Sequence, residues 1–266
     1  MGFNSSIEWT THTFNPWWGC TKVSDGCKHC YAETLSKRWG HDFWGPAKSR
    51  RLMSDSHWEE PLKWNREAFD TGIRPRIFCA SMADVFDERA PEGQRERLWE
   101  IVRRTPNLDW QILTKRPHLI EQTLPDDWGA GYHNVWLGTS VEDNRVVQRI
   151  DQLREVPAVV RFLSFEPLIG PLTDLNLEDI HWAIVGGESG HGARPVQEEW
   201  ITEIREQCRT ANVAFFFKQW GGVFKNRAGR ELQGQLYSEF PNPPARPMVA
   251  PMNGVNIRQL PCLQAA

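Results

Sequence analysis

Three cysteines lie within eleven residues near the start of the chain, in the stretch GCTKVSDGCKHCYAE. Cysteine thiolates ligate metals and carry out redox reactions, so Cys20, Cys27 and Cys30 predict a metal or redox site. A structural zinc ion takes four ligands, and His12 or His41 would have to supply the fourth. A redox dithiol of Cys27 and Cys30 would leave Cys20 without a role. Three thiolates on one loop suit a cubane [4Fe–4S] cluster, whose fourth iron has no protein ligand and is open to another molecule.

The remaining cysteines and the composition indicate the compartment. Cys79, Cys208 and Cys262 are scattered, and we interpret them as small apolar or surface residues that bind no metal. Six cysteines with three of them clustered fit a reduced compartment better than a disulfide framework. No apolar run has membrane-spanning length, and the polar start MGFNSSIEW lacks the apolar core of a secretory signal. We therefore expect a soluble, cytoplasmic protein with no membrane partner.

The charge of the chain limits the kind of nucleic acid that it could bind. The formal net charge is −3 and no long basic run is present. Broad electrostatic binding to a duplex backbone is therefore not expected, whereas a local basic groove is compatible with this composition.

Predicted strands and predicted helices alternate along the chain. Short apolar runs, rich in branched and aromatic residues, predict buried strands. Amphipathic stretches between them predict helices, as where Ile204 and Cys208 follow Trp200 at helical spacing. Strand and helix in alternation are typical of a parallel sheet with right-handed crossovers. The predicted strands are IEWTTHTFNP near the start, then RIFCAS (76–81), DWQILT (109–114), NVWLGTS (134–140), VVRFLSF (159–165), HWAIVGG (181–187) and VAFFFKQ (213–219).

These strands predict the fold class and the domain organisation. We expect an α/β protein with a partial or near-complete (β/α) barrel of about six to seven parallel strands, with an open doubly wound sheet as the alternative. Residues 1–241 would form this barrel domain. Residues 242–266 are Pro-rich and predict a tail that wraps the surface or stays disordered.

The predicted strands end in polar residues. The carboxyl ends of parallel strands form the ligand-binding face of such folds, so these residues should surround the cysteines. Some of the Ser and Thr positions could instead cap helices, and the lysines could simply neutralise the glutamates in a structural network. The polar ends are Ser81 with Asp84, Thr114 with Lys115 and Arg116, Ser140 with Glu142, Ser164 with Glu166, Glu188 with Ser189, and Lys218 with Gln219.

The cysteine loop resembles that of the radical S-adenosylmethionine (SAM) superfamily. Those enzymes carry a C-x3-C-x2-C motif on the loop after the first strand of a partial (β/α) barrel, and CKHCYAE is similar to its second half. The first gap differs, because six residues separate Cys20 from Cys27. From about residue 7 to 241 the chain also resembles a phage-associated, radical SAM-like family with a three-cysteine motif, and the CxHCY phrase is similar to that of the spore photoproduct lyases. The matching blocks are FNPWWGC, GCKHCYAE, SMADVFD, LTKRP, LGTSVE, SFEPLIGP, VGGESG and FKQWGG.

The resemblance implies that Cys20, Cys27 and Cys30 bind a [4Fe–4S] cluster and that SAM chelates its open iron. In these enzymes the reduced cluster cleaves SAM to methionine and a 5′-deoxyadenosyl radical, which abstracts hydrogen from a substrate. Their GGE segment usually follows the second strand, where this chain has SMADVF, and GGES follows the predicted sixth strand instead. The candidates for binding SAM are Ser81, Met82, Asp84, Ser140, Glu142, Gly186 and Gly187, and the candidates for catalysis are Lys115, Glu166, Glu188 and Lys218.

The resemblance also suggests a substrate and partners. A nucleotide or a single-stranded nucleic acid would place phosphates on cations and bases on tryptophans. A reductant such as a flavodoxin or ferredoxin would supply the electron, and the phage association suggests a partner protein encoded nearby. Two alternatives remain open. One is a non-catalytic iron–sulfur protein that binds DNA or a partner, and the other is a zinc-stabilised hydrolase that uses Asp84, Glu142, Glu166 or Glu188 as acid and base.

Overall fold

One parallel sheet organises the part of the chain that the computed structural model describes, residues 2–224 and 228–251. Its seven strands lie in the order β1-β4-β5-β6-β7-β8-β9, and every neighbouring pair is parallel. Because this order follows the chain, each crossover moves the sheet in the same direction, and the sheet curls into a half-barrel. The strands are β1 His12–Thr13, β2 Trp17–Trp18, β3 Arg51–Leu52, β4 Arg76–Cys79, β5 Asp109–Thr114, β6 Val135–Ser140, β7 Val160–Phe165, β8 Trp182–Gly186, β9 Ala214–Gln219, β10 Glu231–Leu232 and β11 Gln235–Leu236.

α-Helices occupy four of the six crossovers, those between β1 and β4, β4 and β5, β6 and β7, and β8 and β9, and two small antiparallel ribbons flank the sheet. The first ribbon pairs β2 with β3 and brackets the cysteine loop, and the second pairs β10 with β11. The helices are α1 Tyr31–Arg38, α2 Asp55–Trp58, α3 Glu60–Thr71, α4 Gln94–Arg104, α5 Arg149–Arg154 and α6 Glu198–Thr210.

Alternate residues of the strands build two apolar layers, as the two-residue period of a strand requires. The layer between the sheet and the helices contains Leu137 and Leu163 of the strands together with Leu98 of α4 and Ile204 of α6. The second layer fills the concave side with strand aromatics and contains no helix residues within the described chain. Its buried members are Trp9, Phe78, Trp136, Val160, Phe162, Trp182, Ile184 and Phe216.

The predicted α/β half-barrel is confirmed. In particular, β6 and β7 are parallel neighbours, with Leu137 opposite Arg161. The first strand is shorter than the predicted IEWTTHTFNP and comprises only His12–Thr13. The helical pattern after β6 is divided into a 3-10 turn at Asn144–Val146 and the short helix α5, because the Asp143 side chain accepts from the backbone N–H of Arg145 and caps the turn.

The beginning of the Pro-rich tail packs against the barrel. Arg74 donates to the carbonyl of Pro247 at 2.6 Å, and Asn107 donates to that of Val249 at 2.8 Å. Cys262 and the rest of the tail lie outside the described residues. No helix in the described ranges is both long and apolar enough to cross a membrane.

Candidate functional site

The cysteine loop lies at the mouth of the half-barrel, between β2 and α1. Asp25–Cys27 forms a 3-10 turn, and α1 begins directly after Cys30. Cys20, Cys27 and Cys30 are half-buried free thiols. Side chains that follow β4, β5, β6 and β8 all surround or contact this loop. The structure therefore brings the three cysteines and the polar strand ends to the same edge of the sheet.

Two of the thiols are supported by apolar packing. Cys20 and Cys30 pack against a small cluster that contains the fully buried Met82. Burial, reinforced by the carboxylate of Asp84, raises the pKa of Cys20 to about 12, and burial also raises the pKa of Cys30. Such thiols stay protonated and unreactive near neutral pH, and a metal bound there would displace their protons.

Arg116, just after β5, holds the start of the cysteine loop. Its Nη1 lies 3.7 Å from Sγ of Cys20, and its Nη2 donates to the carbonyl of Thr21 at 2.6 Å. The same buried guanidinium pairs with Asp84 at 2.9 Å, and Asp84 also accepts from the hydroxyl of Thr114 at 2.7 Å. Asp84 thus orients the arginine that contacts Cys20, rather than presenting a vacant carboxylate at the mouth.

Glu142, just after β6, holds the middle of the loop. Its Oε1 accepts from the hydroxyl of Ser24 at 3.0 Å and pairs with Lys115 at 2.6 Å, and its Oε2 pairs with Arg149 at 2.9 Å. Burial would raise the pKa of Glu142, but the two cations outweigh it and lower the pKa. A Cβ atom at Gly26 would lie 2.6 Å from Cδ of Glu142, so only glycine lets the loop approach this closely.

Glu188, after β8, holds the end of the loop. Its Oε2 lies 3.0 Å from Nδ1 of His29, and its carboxylate forms a two-oxygen ion pair with the guanidinium of Arg194. Arg194 in turn donates to the carbonyl of Asp25 at 3.0 Å. Burial would raise the pKa of Glu188, but hydrogen bonds from Arg194 and His29 outweigh it and lower the pKa to about 2.

The six residues between Cys20 and Cys27, which we name the cysteine spacer (residues 21–26), are therefore anchored by three separate strand ends. Sequence analysis predicted Asp84, Lys115, Glu142 and Glu188 as candidates for contacting SAM or substrate. The structure places these side chains at the mouth but directs them to the cysteine loop and to the cations that hold it. Three of the six residues between Cys20 and Cys27 make these anchoring contacts, namely Thr21, Ser24 and Asp25.

Ser81 and Met82 lie on the segment that follows β4 and are fixed by Asn15. The amide of Asn15 accepts from the backbone N–H of Met82 at 2.7 Å and donates to the hydroxyl of Ser81 at 3.1 Å. The hydroxyl of Tyr31, next to Cys30, donates to the carbonyl of Ser81 at 2.6 Å. This segment is thus tied to both sides of the cysteine loop. Asn15 was not among the predicted site residues. It is nevertheless a polar residue that follows the first strand, and the predicted site residues follow the other strands in the same way.

Glu166 and Lys218 form a second polar group, which we name the Glu166 cluster (Glu166, Ser189, Lys218 and Gln219). Nζ of Lys218 lies 2.6 and 2.8 Å from the two carboxylate oxygens of Glu166. Gln219 donates to Glu166 at 3.0 Å and to Ser189 at 2.6 Å. The side chains of Glu166 and Lys218 each remain 19% exposed. This cluster makes none of the contacts described above that anchor the cysteine spacer.

The glycines of the GGES segment pack closely against the chain itself. A Cβ atom at Gly187 would lie 2.8 Å from the carbonyl carbon of Trp220, and one at Gly186 would lie 3.4 Å from Cδ of Glu166. Gly187 therefore permits close packing of the segments after β8 and β9. Ser140 is buried, and its carbonyl accepts from Arg149 at 2.9 Å.

The two histidines considered as a fourth zinc ligand make other contacts. No three His, Cys, Asp or Glu side chains of the described chain lie close enough together to hold one metal ion. His12, a predicted fourth zinc ligand, is buried in β1, accepts from the N–H of Asn4 at 3.0 Å and stacks on Trp64. His41 contacts the guanidinium of Arg51 at 3.4 Å.

Comparison with known proteins gives a family and a set of similar folds. Residues 4–241 match the family described as protein of unknown function (DUF5131). No curated protein matches the chain in sequence. Two single-substitution variants of spore photoproduct lyase match in structure. The first has 13% identity and a TM-score of 0.49, over 70% of this chain and 58% of that chain. The second has 14% identity and a TM-score of 0.48, over 71% of this chain and 59% of that chain. A double-substitution variant with bound AdoMet and dinucleoside spore photoproduct matches at 11% identity and a TM-score of 0.45, over 70% of this chain and 60% of that chain. The chain thus spans about three fifths of the length of these structures.

Proposed function

The chain belongs to the DUF5131 family of proteins of unknown function, so its activity has to be argued from its own residues, and we propose that it is an iron–sulfur enzyme of the radical SAM type. Cys20, Cys27 and Cys30 would ligate a [4Fe–4S] cluster and leave one iron open for SAM. A bound cluster would supply the electron that cleaves SAM reductively. The observation that carries this proposal is the position of three half-buried thiols on one loop at the carboxyl-end mouth of a parallel half-barrel.

The protein's own groups would keep the thiols in place and shield them. Arg116, Glu142 and Glu188 hold the start, the middle and the end of the loop through charged hydrogen bonds that are largely buried. Met82 and the residues around it cover two of the thiols with apolar surface. Apolar cover of this kind would limit the access of water and oxygen to these two sulfur atoms, as a radical reaction requires.

The Glu166 cluster is the proposed place for SAM and substrate beside the loop. Burial raises the pKa of Tyr31, which follows Cys30 directly, and the charge of Glu166 adds to this effect. The cluster offers an ammonium group, a carboxylate, an amide and a hydroxyl. A zwitterionic cofactor beside an anionic substrate needs groups of both signs, since each charge removed from water requires a partner. Ser81, which accepts from Tyr31, and Met82, which packs in the apolar cluster beside Cys20 and Cys30, remain candidates for SAM.

For the substrate we propose a nucleotide or a nucleic acid, and for the electron donor a flavodoxin or ferredoxin. The substrate class rests on the resemblance of the CxHCY phrase to the spore photoproduct lyases and on the cations and aromatic residues around the mouth. We also propose that residues 1–241 are the catalytic domain and 242–266 an accessory tail.

Metal analysis under anaerobic conditions tests this proposal. Purified or reconstituted protein should contain close to four iron and four sulfide per chain and should absorb near about 400 nm. Adding SAM to the reduced protein should change the electron paramagnetic resonance signal of the cluster, because SAM would coordinate its open iron. Stoichiometric zinc without iron would contradict the proposal and favour the hydrolase alternative. An iron–sulfur signal that SAM leaves unchanged would favour the non-catalytic alternative.

A further inference from the structure

An exposed aromatic surface lies beside the cysteine loop, and we name it the Trp39 platform (Trp18, Trp39 and Arg51). The rings of Trp18 and Trp39 stack with centroids 5.4 Å apart and an angle of 27° between their planes. The guanidinium of Arg51 lies over the ring of Trp18, 4.6 Å from its centroid. Trp39 is 49% exposed, which is unusual for a residue type that folded proteins mostly bury. The platform is therefore a preformed stack that presents an aromatic ring to solvent.

The residues around the platform carry a local positive charge. The chain as a whole has a net charge of −3, but residues 37–51 contain five basic side chains and one acidic one, Asp42. Four of the five basic side chains are exposed, whereas Arg50 is buried and its charge is balanced by Asp87 at 2.7 Å. The surface ion pairs of Lys37 with Glu33 and of Lys48 with Asp42 are of the kind that contributes little and exchanges readily. The five basic residues are Lys37, Arg38, Lys48, Arg50 and Arg51.

The platform is continuous with the cysteine loop. Trp18 packs against the apolar cluster that supports Cys20 and Cys30, and the N–H of Gly45 donates to the carbonyl of Cys20 at 2.9 Å. Helix α1 begins after Cys30 and ends before Trp39, so its eight residues separate them by about 12 Å. That distance corresponds to about three nucleotides at the spacing of a stacked strand.

We propose that the Trp39 platform binds a single strand of nucleic acid and leads it to the cysteine loop. Bases stack on exposed aromatic rings whatever their sequence, and the surrounding cations pair with the phosphates. An acidic polypeptide would also match the positive charge, but its acidic side chains would not stack on a pair of tryptophans. This inference rests on the proposed function, because it names the form in which the substrate reaches the cluster.

Fluorescence anisotropy with a labelled oligothymidylate of about twelve nucleotides tests the inference. At low salt the wild-type protein should bind it, and Trp39→Ala should raise the Kd about fivefold or more because one stacked base is lost. Trp39→Phe keeps a flat ring and should stay within about twofold of the wild type. Arg51→Gln should weaken binding and reduce its salt dependence, since one phosphate contact disappears. Phe69→Ala removes an aromatic of comparable exposure (40%) from α3 and is the matched control that should change nothing.

Three results would overturn the inference. They are the absence of binding at low salt, a Trp39→Ala variant that binds as tightly as the wild type, and displacement of the oligonucleotide by polyglutamate as effectively as by unlabelled oligothymidylate. The last result would assign the surface to an acidic protein partner. Cleavage of SAM by the reduced wild-type protein without any oligonucleotide tests the proposed function separately. If the oligonucleotide does not bind but SAM is cleaved normally, only the proposal about the Trp39 platform is wrong, and the proposed function is unaffected.

Discussion

Gly26 and Glu142 lie against each other across the mouth of the half-barrel, and a Cβ atom on Gly26 would come within 2.6 Å of Cδ of Glu142. Gly26 belongs to the loop that carries the cysteines, whereas Glu142 follows β6, 116 positions later in the sequence. This contact makes the position of the thiols dependent on a strand end far away in the chain.

Gly26→Ala should displace the cysteine loop and reduce the iron content of reconstituted protein to below about half of the wild-type value. The reason is steric, because the new methyl group would meet a carboxylate that Lys115 and Arg149 hold in place. Gly72→Ala is the control, since Gly72 at the end of α3 has open space around it and bears only the strain of a positive φ of 73°. Equal iron content in the Gly26→Ala variant and the wild type, measured by colorimetric iron assay, would show that the loop does not need this contact.

Replacing any one of Cys20, Cys27 and Cys30 with Ala should abolish the absorption near about 400 nm, because a cubane that has lost one of three protein ligands is no longer held. Cys208→Ala is the matched control, since Cys208 is buried in α6 among apolar residues. Its spectrum should match that of the wild type after anaerobic reconstitution. A variant of one of the three loop cysteines that retains the full absorption would remove that cysteine from the ligand set.

Lys218→Met and Glu166→Gln should keep the cluster and the fold but lose SAM binding or turnover. The two side chains are partly exposed, so their ion pair contributes little to stability and its groups are available to a ligand. Isothermal titration with SAM, a melting curve and an absorption spectrum of each variant separate the possibilities. Normal SAM binding and turnover together with a lowered melting temperature would assign the pair a structural role.

The stability contributed by Glu188 should depend on pH. The pKa of this carboxylate is lowered to about 2 in the folded protein, so its contribution is complete above the unfolded value near about 4.3 and is lost as the pH falls towards 2. Urea unfolding of the wild type and of Glu188→Gln should therefore differ most at pH 6, and the gap should narrow between pH 4.5 and 3. A gap of constant size over this range would mean that the ion pair with Arg194 does not stabilise the fold.

Much of the fold follows from local patterns in the sequence. The period of the apolar runs correctly predicted the half-barrel. Among the polar strand ends, Arg116, Glu142 and Glu188 contact the cysteine loop. The partners of those residues were not predictable, because they depend on contacts between distant segments. Ser24 and Glu142 are 118 positions apart, and His29 and Glu188 are 159 apart, and nothing local to either residue encodes the pairing.

The role of the residues between Cys20 and Cys27 also depends on contacts with distant segments. The six-residue gap after Cys20 differs from the usual motif, and the sequence alone does not explain the difference. In the structure that gap is the segment held by Arg116, Glu142 and Arg194. The close contact of Gly26 with Glu142 could not be predicted from the sequence, because a glycine beside Asp25 is also typical of an ordinary turn.

If Cys20, Cys27 and Cys30 hold a cluster that cleaves SAM, the product of that cleavage should be detectable. Reconstituted wild-type protein should be reduced with dithionite under anaerobic conditions in the presence of SAM and assayed by chromatography for 5′-deoxyadenosine. We expect 5′-deoxyadenosine to form with the wild type and to be absent with Cys27→Ala. If protein with a full, reduced cluster forms no 5′-deoxyadenosine, it is not a radical SAM enzyme.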